Sequence, residues 1–249
     1  MSDGTFVKEL KGAIATPAMV TVSGKERIFA PAGYADCTPK QATITPLAVH
    51  TLTGLVDYVR ENRDGIVLGA CLVHVVDHAG VDILHQLEEE EHFFRRHTFL
   101  RAGTELVGGE PFRFGEYQDA ESFFVGLQSM FVATPARDEI LKLVASIREN
   151  QVRETVDSGV SQAVNTASGV VLVGSTQVPN PVMLAPYRTF REIEQPASLF
   201  ILRLKAAPAG DKPLCALFEA DGGGWRLAAI QGIKEYLAGQ IGNLIAIIA

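Results

Sequence analysis

The chain has little of what staples, ligates or catalyses by itself. Its 249 residues hold three cysteines, Cys37, Cys71 and Cys215. They are odd in number and far apart, so neither a disulfide framework nor a zinc-knuckle spacing is present, and they read as reduced, mostly buried thiols. Long hydrophobic runs are missing too. The longest apolar tail, Leu244 to Ala249, is far short of the ~20 residues that span a bilayer as a helix. The stretch from Met1 to Gly12 lacks the apolar region of a secretion signal, so a cytoplasmic protein is expected. Basic residues are in deficit, with 22 Lys plus Arg against 29 Asp plus Glu and a net charge of -7. That balance works against a duplex nucleic-acid binder, which needs basic surface to displace phosphate counterions. Neither Ser158 nor Ser161 sits in a Gly-x-Ser-x-Gly elbow, and no His-Glu-x-x-His or Gly-Lys-Ser/Thr phosphate loop exists.

What is present is apolar residue, 47% of the chain, enough for a sizeable core without metal or disulfide support. Residues 1–16 read as a flexible lead-in and 17–249 as one compact domain, with a sub-boundary allowed near 150. Met19 to Val22 and Arg27 to Ala30 read as a hairpin, and Thr45-Pro46 as the cap and first position of a helix reaching Asn62. Cys71 to Val76 and Val81 to Leu87 flank the turn residues Asp77 to Gly80, a second hairpin. Glu88 to Arg101 fits helix or strand. Helices follow over Asp119 to Val132 and Pro135 to Asn150, the second capped by Thr134. Val152 to Leu204 turns to strand. The end reads strand (Leu214 to Ala220), glycine turn, helix (Trp225 to Ala238) and apolar strand (Leu244 to Ala249), an order that allows a parallel crossover. The expected fold is α+β, a mixed but largely antiparallel sheet with helices packed on it and a C-terminal β-α-β element.

Two stretches carry candidate chemistry. In the first, Asp221-Gly222-Gly223-Gly224-Trp225-Arg226, glycines let backbone N–H groups converge where a helix start adds positive dipole, a geometry suited to an anion. In the second, Tyr187, Arg188 and Arg191 set guanidinium forks beside aromatic faces, as a planar or phosphorylated ligand would use. Each has a plainer alternative. The glycines can be a tight turn that binds nothing. Residues 187–194 can alternate along a strand, with Arg188 paired internally to Glu192 or Glu219. Five of the six histidines fall between His74 and His97, and His74 and His85 could approach diagonally across the hairpin, but two histidines make at most half a site, so no metal is expected.

The string Pro186-Tyr187-Arg188-Thr189-Phe190-x-Glu192-Ile193-x-Gln195-Pro196-x-Ser198, followed by Glu219-Ala220-Asp221-Gly222-Gly223-x-Trp225, resembles the YfdQ-like family of phage and prophage proteins. Phe112-x-Phe114, Glu121-Ser122-Phe123 and Leu127-Gln128 extend the resemblance over roughly residues 45 to 240. It implies a phage-encoded protein working in the host cytoplasm, and it transfers no reaction and no catalytic residue. The expectation is a non-enzymatic, homo-oligomeric accessory protein without cofactor, binding a small anionic, nucleotide-like ligand through Tyr187, Arg188, Arg191, Asp221, Gly222, Gly223, Gly224, Trp225 and Arg226. The alternatives are an oligomeric structural protein, and a hydrolase using Glu219 and Asp221 with His74 or His85.

Overall fold

The computed structural model describes residues 18–22, 25–29, 45–85, 88–90, 93–104, 111–149, 151–157, 162–168, 171–178, 180–205 and 213–249. The lead-in at residues 1–16 and Cys37 lie outside them. The chain divides into two compact units, Met1–Ile44 and Thr45–Ala249. In the first, β1 (Ala18–Val22) pairs antiparallel with β2 (Lys25–Phe29), the hairpin expected there.

The second unit begins with β3 (Leu47–Val49), α1 (Leu52–Glu61), β4 (Cys71–Val75), β5 (Gly80–His85), β6 (Glu88–Glu90), β7 (Phe93–Arg95) and β8 (Thr98–Gly103). It continues through β9 (Gln118–Asp119), α2 (Ala120–Met130), α3 (Pro135–Glu149), β10 (Gln151–Asp157), β11 (Gln162–Ser168) and β12 (Val171–Val178). The last elements are β13 (Val182–Leu184), β14 (Ser198–Lys205), β15 (Leu214–Glu219), α4 (Gly224–Ile241) and β16 (Ala246–Ile248).

Two sheets carry the two cores. One runs β16-β4-β5-β8-β3, with antiparallel central strands and a parallel strand at each edge. Leu52, Leu55 and Val59 of α1 and Ile233, Leu237 and Ile241 of α4 share its core with Val73, Ile83 and Leu100. The other runs β13-β14-β15-β9 and is antiparallel throughout. Phe123 and Leu127 of α2 and Ile140 and Val144 of α3 pack there with Leu184, Phe200, Leu202 and Leu217. Each such apolar side chain contributes about 1.5–3 kcal/mol when fully buried. Strands β10 to β12 form an antiparallel meander, and β6 pairs with β7, so the segment that fitted helix or strand is extended over its described residues. The fold is α+β, with helices on largely antiparallel sheets.

Four local readings are corrected. First, α1 is capped by Thr51, whose Oγ1 accepts from Gly54 N at 3.0 Å, rather than by Thr45. Leu47 to Val49 are drawn into β3 instead, where parallel pairing with Leu100 to Ala102 outweighs a local helix start. Second, β16 does not cross over to β15. Both sides of β15 are taken, by β14 and β9, so the final strand adds in parallel to β4 in the other sheet. It is an exposed edge, with Ile248 48% accessible. Third, residues 187–197 form an irregular loop, so the strand alternation does not apply. Fourth, His85 pairs with Cys71 and His74 with Asp82, which puts the two histidines on opposite faces of the sheet.

Candidate functional site

The loop from Pro186 to Gln195 is shaped by hydrogen bonds that its own polar residues supply. Gln195 is buried and works as its staple: Oε1 accepts from the backbone N–H of Arg188 at 3.0 Å and of Thr189 at 3.3 Å, while Nε2 donates to the Phe190 carbonyl at 2.9 Å. Tyr187 N donates to the Met130 carbonyl at the end of α2 at 2.8 Å. Thr189 Oγ1 donates to the His78 carbonyl at 2.5 Å, tying the loop to the β4–β5 turn. Phe190 meanwhile is fully buried in the core of the five-stranded sheet. These contacts fix where Arg188 begins.

The Arg188 side chain is 9% exposed and its guanidinium lies 3.7 Å over the Trp225 ring, with Phe200 and Phe114 at 5.7 and 6.0 Å. Nη1 donates to Glu219 Oε1 at 2.5 Å and Nη2 to Ser198 Oγ at 2.6 Å, while Nε is buried without a partner. Burial pulls its pKa down to about 10, against the opposing pull of Glu219 and Asp221, so it is cationic at neutral pH. Of the two internal partners the sequence allowed, Glu219 is the one chosen. Glu192 goes elsewhere, accepting from Thr53 N in the first turn of α1 at 3.1 Å.

The glycine turn is built for shape. Gly222 and Gly223 have φ of +62 and +81, a left-handed pair that L side chains resist. Asp221 then caps the helix: Oδ1 accepts from Gly223 N at 3.0 Å and Oδ2 from Trp225 N at 3.2 Å. The donors expected to hold an external anion are therefore satisfied by the chain's own carboxylate. Arg226 folds back toward the turn, so a Cβ on Gly223 would meet its Nη1 at 2.7 Å.

A cleft of about 240 Å³ opens among these pieces, lined by His78, Phe112, Phe114, Pro186, Tyr187, Arg188, Glu219, Trp225 and Arg226, with Pro111 and Met130. It brings together four of the expected site residues, Tyr187, Arg188, Trp225 and Arg226. Asp221 and Gly222 to Gly224 stand outside its lining, as does Arg191, whose guanidinium lies 3.7 Å from the Tyr187 ring centre. Among the hydrolase candidates only Glu219 reaches the cleft.

His78, Phe112, Phe114 and Met130 escaped the sequence reading as cleft residues, and Glu219 entered it only as an internal partner of Arg188 or a hydrolase carboxylate. Phe112 and Phe114 were visible in the family resemblance, but His78 read only as turn chemistry. Its ring meets Trp225 edge-on at 4.7 Å. Burial lowers its pKa below the usual 6.5, with Asp77 opposing and Arg226 and Arg188 adding to the fall, so the ring is neutral at pH 7. Trp225 Nε1 is a second buried donor without a partner.

Away from the cleft, Cys71 and Cys215 are buried free thiols, the latter pushed up to about 12 by burial and Asp119. Among the described residues no group of three His, Cys, Asp or Glu is arranged to hold a metal ion, and no helix is long and apolar enough to cross a membrane. The fold and site define an α+β protein with an aromatic cleft holding two arginines and a glutamate. Comparison with protein-family models, curated proteins and solved structures finds no match.

Proposed function

We propose that this cleft binds a small anionic ligand and that the protein works by holding it, without turnover. The observation that carries this reading is the convergence of Arg188 and Arg226 on one aromatic-walled cavity whose wall also contains two buried donors, Arg188 Nε and Trp225 Nε1, lacking acceptors. Buried donors without partners are costly, and a guest bearing acceptors relieves that cost once the Arg188 and Trp225 stack opens to admit it. The stretches that resemble the phage family, Phe112 to Phe114, Pro186 to Ser198 and Glu219 to Trp225, are the ones that meet here. In that setting the role is sequestration of a nucleotide-like host signal in the host cytoplasm. Thermal denaturation with a panel of nucleotides, cyclic dinucleotides and inorganic phosphate tests it. A ligand at ~100 times its Kd adds about 2.7 kcal/mol; no shift from any of them sinks the proposal.

One observation favours a structural reading instead: Arg188 already has a carboxylate partner and a serine. In that reading the same residues join the two sheets, and the exposed edge residues Leu47 (51%) and Ile248 (48%) support self-association. Sedimentation across a concentration series checks the latter. A monomer at every concentration rejects it.

A further inference from the structure

We infer that the cleft takes a heteroaromatic ring carrying an N–H donor as well as an anionic group, the chemistry of a nucleoside monophosphate, and that Glu219 is the residue that reads the ring. This rests on the ligand-binding reading above and sharpens it. A fully ionised oxyanion offers acceptors alone, so a pocket made only for it needs donors and gains nothing from a carboxylate. This cleft carries a carboxylate as well.

Glu219 spends Oε1 on Arg188, and its side chain stays 31% exposed in the cleft wall. A carboxylate has two oxygens and no proton to give, so Oε2 is an acceptor open to a guest. Arg226, also lining the cleft, offers only donors and pairs with no carboxylate among the described residues. One lining therefore holds an acceptor and a cation, complementary to a guest with an N–H at one edge and negative charge at another. Phe114, Tyr187 and Trp225 give the cleft aromatic walls, with Arg188 over Trp225 and Arg191 over Tyr187 in the unliganded chain, so a guest ring would take the place of a guanidinium on Trp225, and the neutral His78 adds no competing charge.

Calorimetry on the full chain with the four ribonucleoside 5′-monophosphates, phenyl phosphate and inorganic phosphate tests this. Phenyl phosphate keeps the ring and the charge but has no ring donor. The tightest nucleotide should exceed phenyl phosphate by at least about 10-fold, since a hydrogen bond to a charged group is at stake, and inorganic phosphate should be weakest. In Glu219→Gln the amide oxygen still accepts from Arg188 while the amide N–H replaces the free acceptor, so the preference for the nucleotide over phenyl phosphate should fall to about 1. Phenyl phosphate binding as well as every nucleotide to the unaltered chain overturns the inference while leaving anion binding intact, and needs no variant to fold. A preference unchanged in a folded Glu219→Gln protein overturns it as well. Should no probe bind at all, the ligand-binding reading falls with it.

Discussion

Two arginine–carboxylate pairs, one on the five-stranded sheet and one in the cleft wall, show how differently the same chemistry is used. Arg101 of β8 reaches across to Asp82 of β5 with both Nε and Nη2 at 2.9 Å, a complete fork. Its own side chain is 64% exposed. Arg188 is nearly sealed, gives Glu219 one hydrogen bond, and leaves Nε empty. In the Arg101 pair the cation is hydrated and the carboxylate, 11% exposed, is buried, whereas in the cleft the cation is buried and the carboxylate is partly hydrated. The sealed pair is geometrically incomplete, yet its surroundings make it hard to remove. A fork left unfinished inside an aromatic cleft is a place where a guest can act.

The sharpest way to break this contrast is to delete each cation. Arg188→Ala strands the Glu219 carboxylate and empties the space over Trp225, and should cost about 3 kcal/mol in urea denaturation, at the lower end for a buried pair because Glu219 is partly hydrated. Arg101→Ala removes a hydrated cation but takes both guanidinium donors from the buried Asp82, and should cost about 1–2 kcal/mol. Equal losses would erase the distinction between the two regions. Next in size are the turn glycines. Gly223→Ala meets both the left-handed φ and the Arg226 guanidinium, and should cost about 2 kcal/mol, whereas Gly222→Ala, with open space around its Cβ, should cost about 1. If Gly222→Ala is the more harmful, Arg226 does not pack against the turn as described.

Smaller still is the effect of pH at His78. Its native pKa is lowered, so between that value and 6.5 the unfolded chain holds the proton that the native chain lacks. Stability from this group is therefore present above 6.5 and is lost as pH falls through the window. Groups facing it are Asp77, Arg188, Arg226 and the Trp225 ring. NMR titration of His78 checks this; a midpoint at or above 6.5 contradicts the described burial. An anion bound beside it should raise that midpoint. The least effect on folding is expected from Arg226→Gln on the exposed rim, within about 0.5 kcal/mol, although affinity for nucleotide probes should drop. A large loss of stability there would make Arg226 part of the core architecture.

Much of the architecture was legible because its signals are local. The hairpin of β4 and β5 announced itself through Asp77 to Gly80, where Asp77 Oδ1 accepts from Ala79 N at 2.7 Å. Thr134 caps α3 as read, its Oγ1 accepting from Arg137 N at 3.2 Å. The residue types of the site were visible too, since Tyr187, Arg188, Trp225 and Arg226 all stood in the two stretches singled out. What could not be read was who meets whom. Arg188 had Glu192 four residues away and Glu219 thirty-one away, and the distant one won because the loop stapled by Gln195 turns the near one toward α1.

The sequence by itself determined turns, caps and helical stripes, because those depend on the φ preferences and hydrogen-bonding groups of neighbouring residues. It also determined that the Asp221 turn would start a helix. Only the tertiary structure decided that Asp221 would fill the anion-binding end of that helix itself, that β16 would join β4, and that His78, in edge-on contact with Trp225, would line one cleft with it and Phe114. Those outcomes depend on which sheet edges are free once two cores have formed. That competition is settled by burial across the whole unit, not by any short stretch of chain.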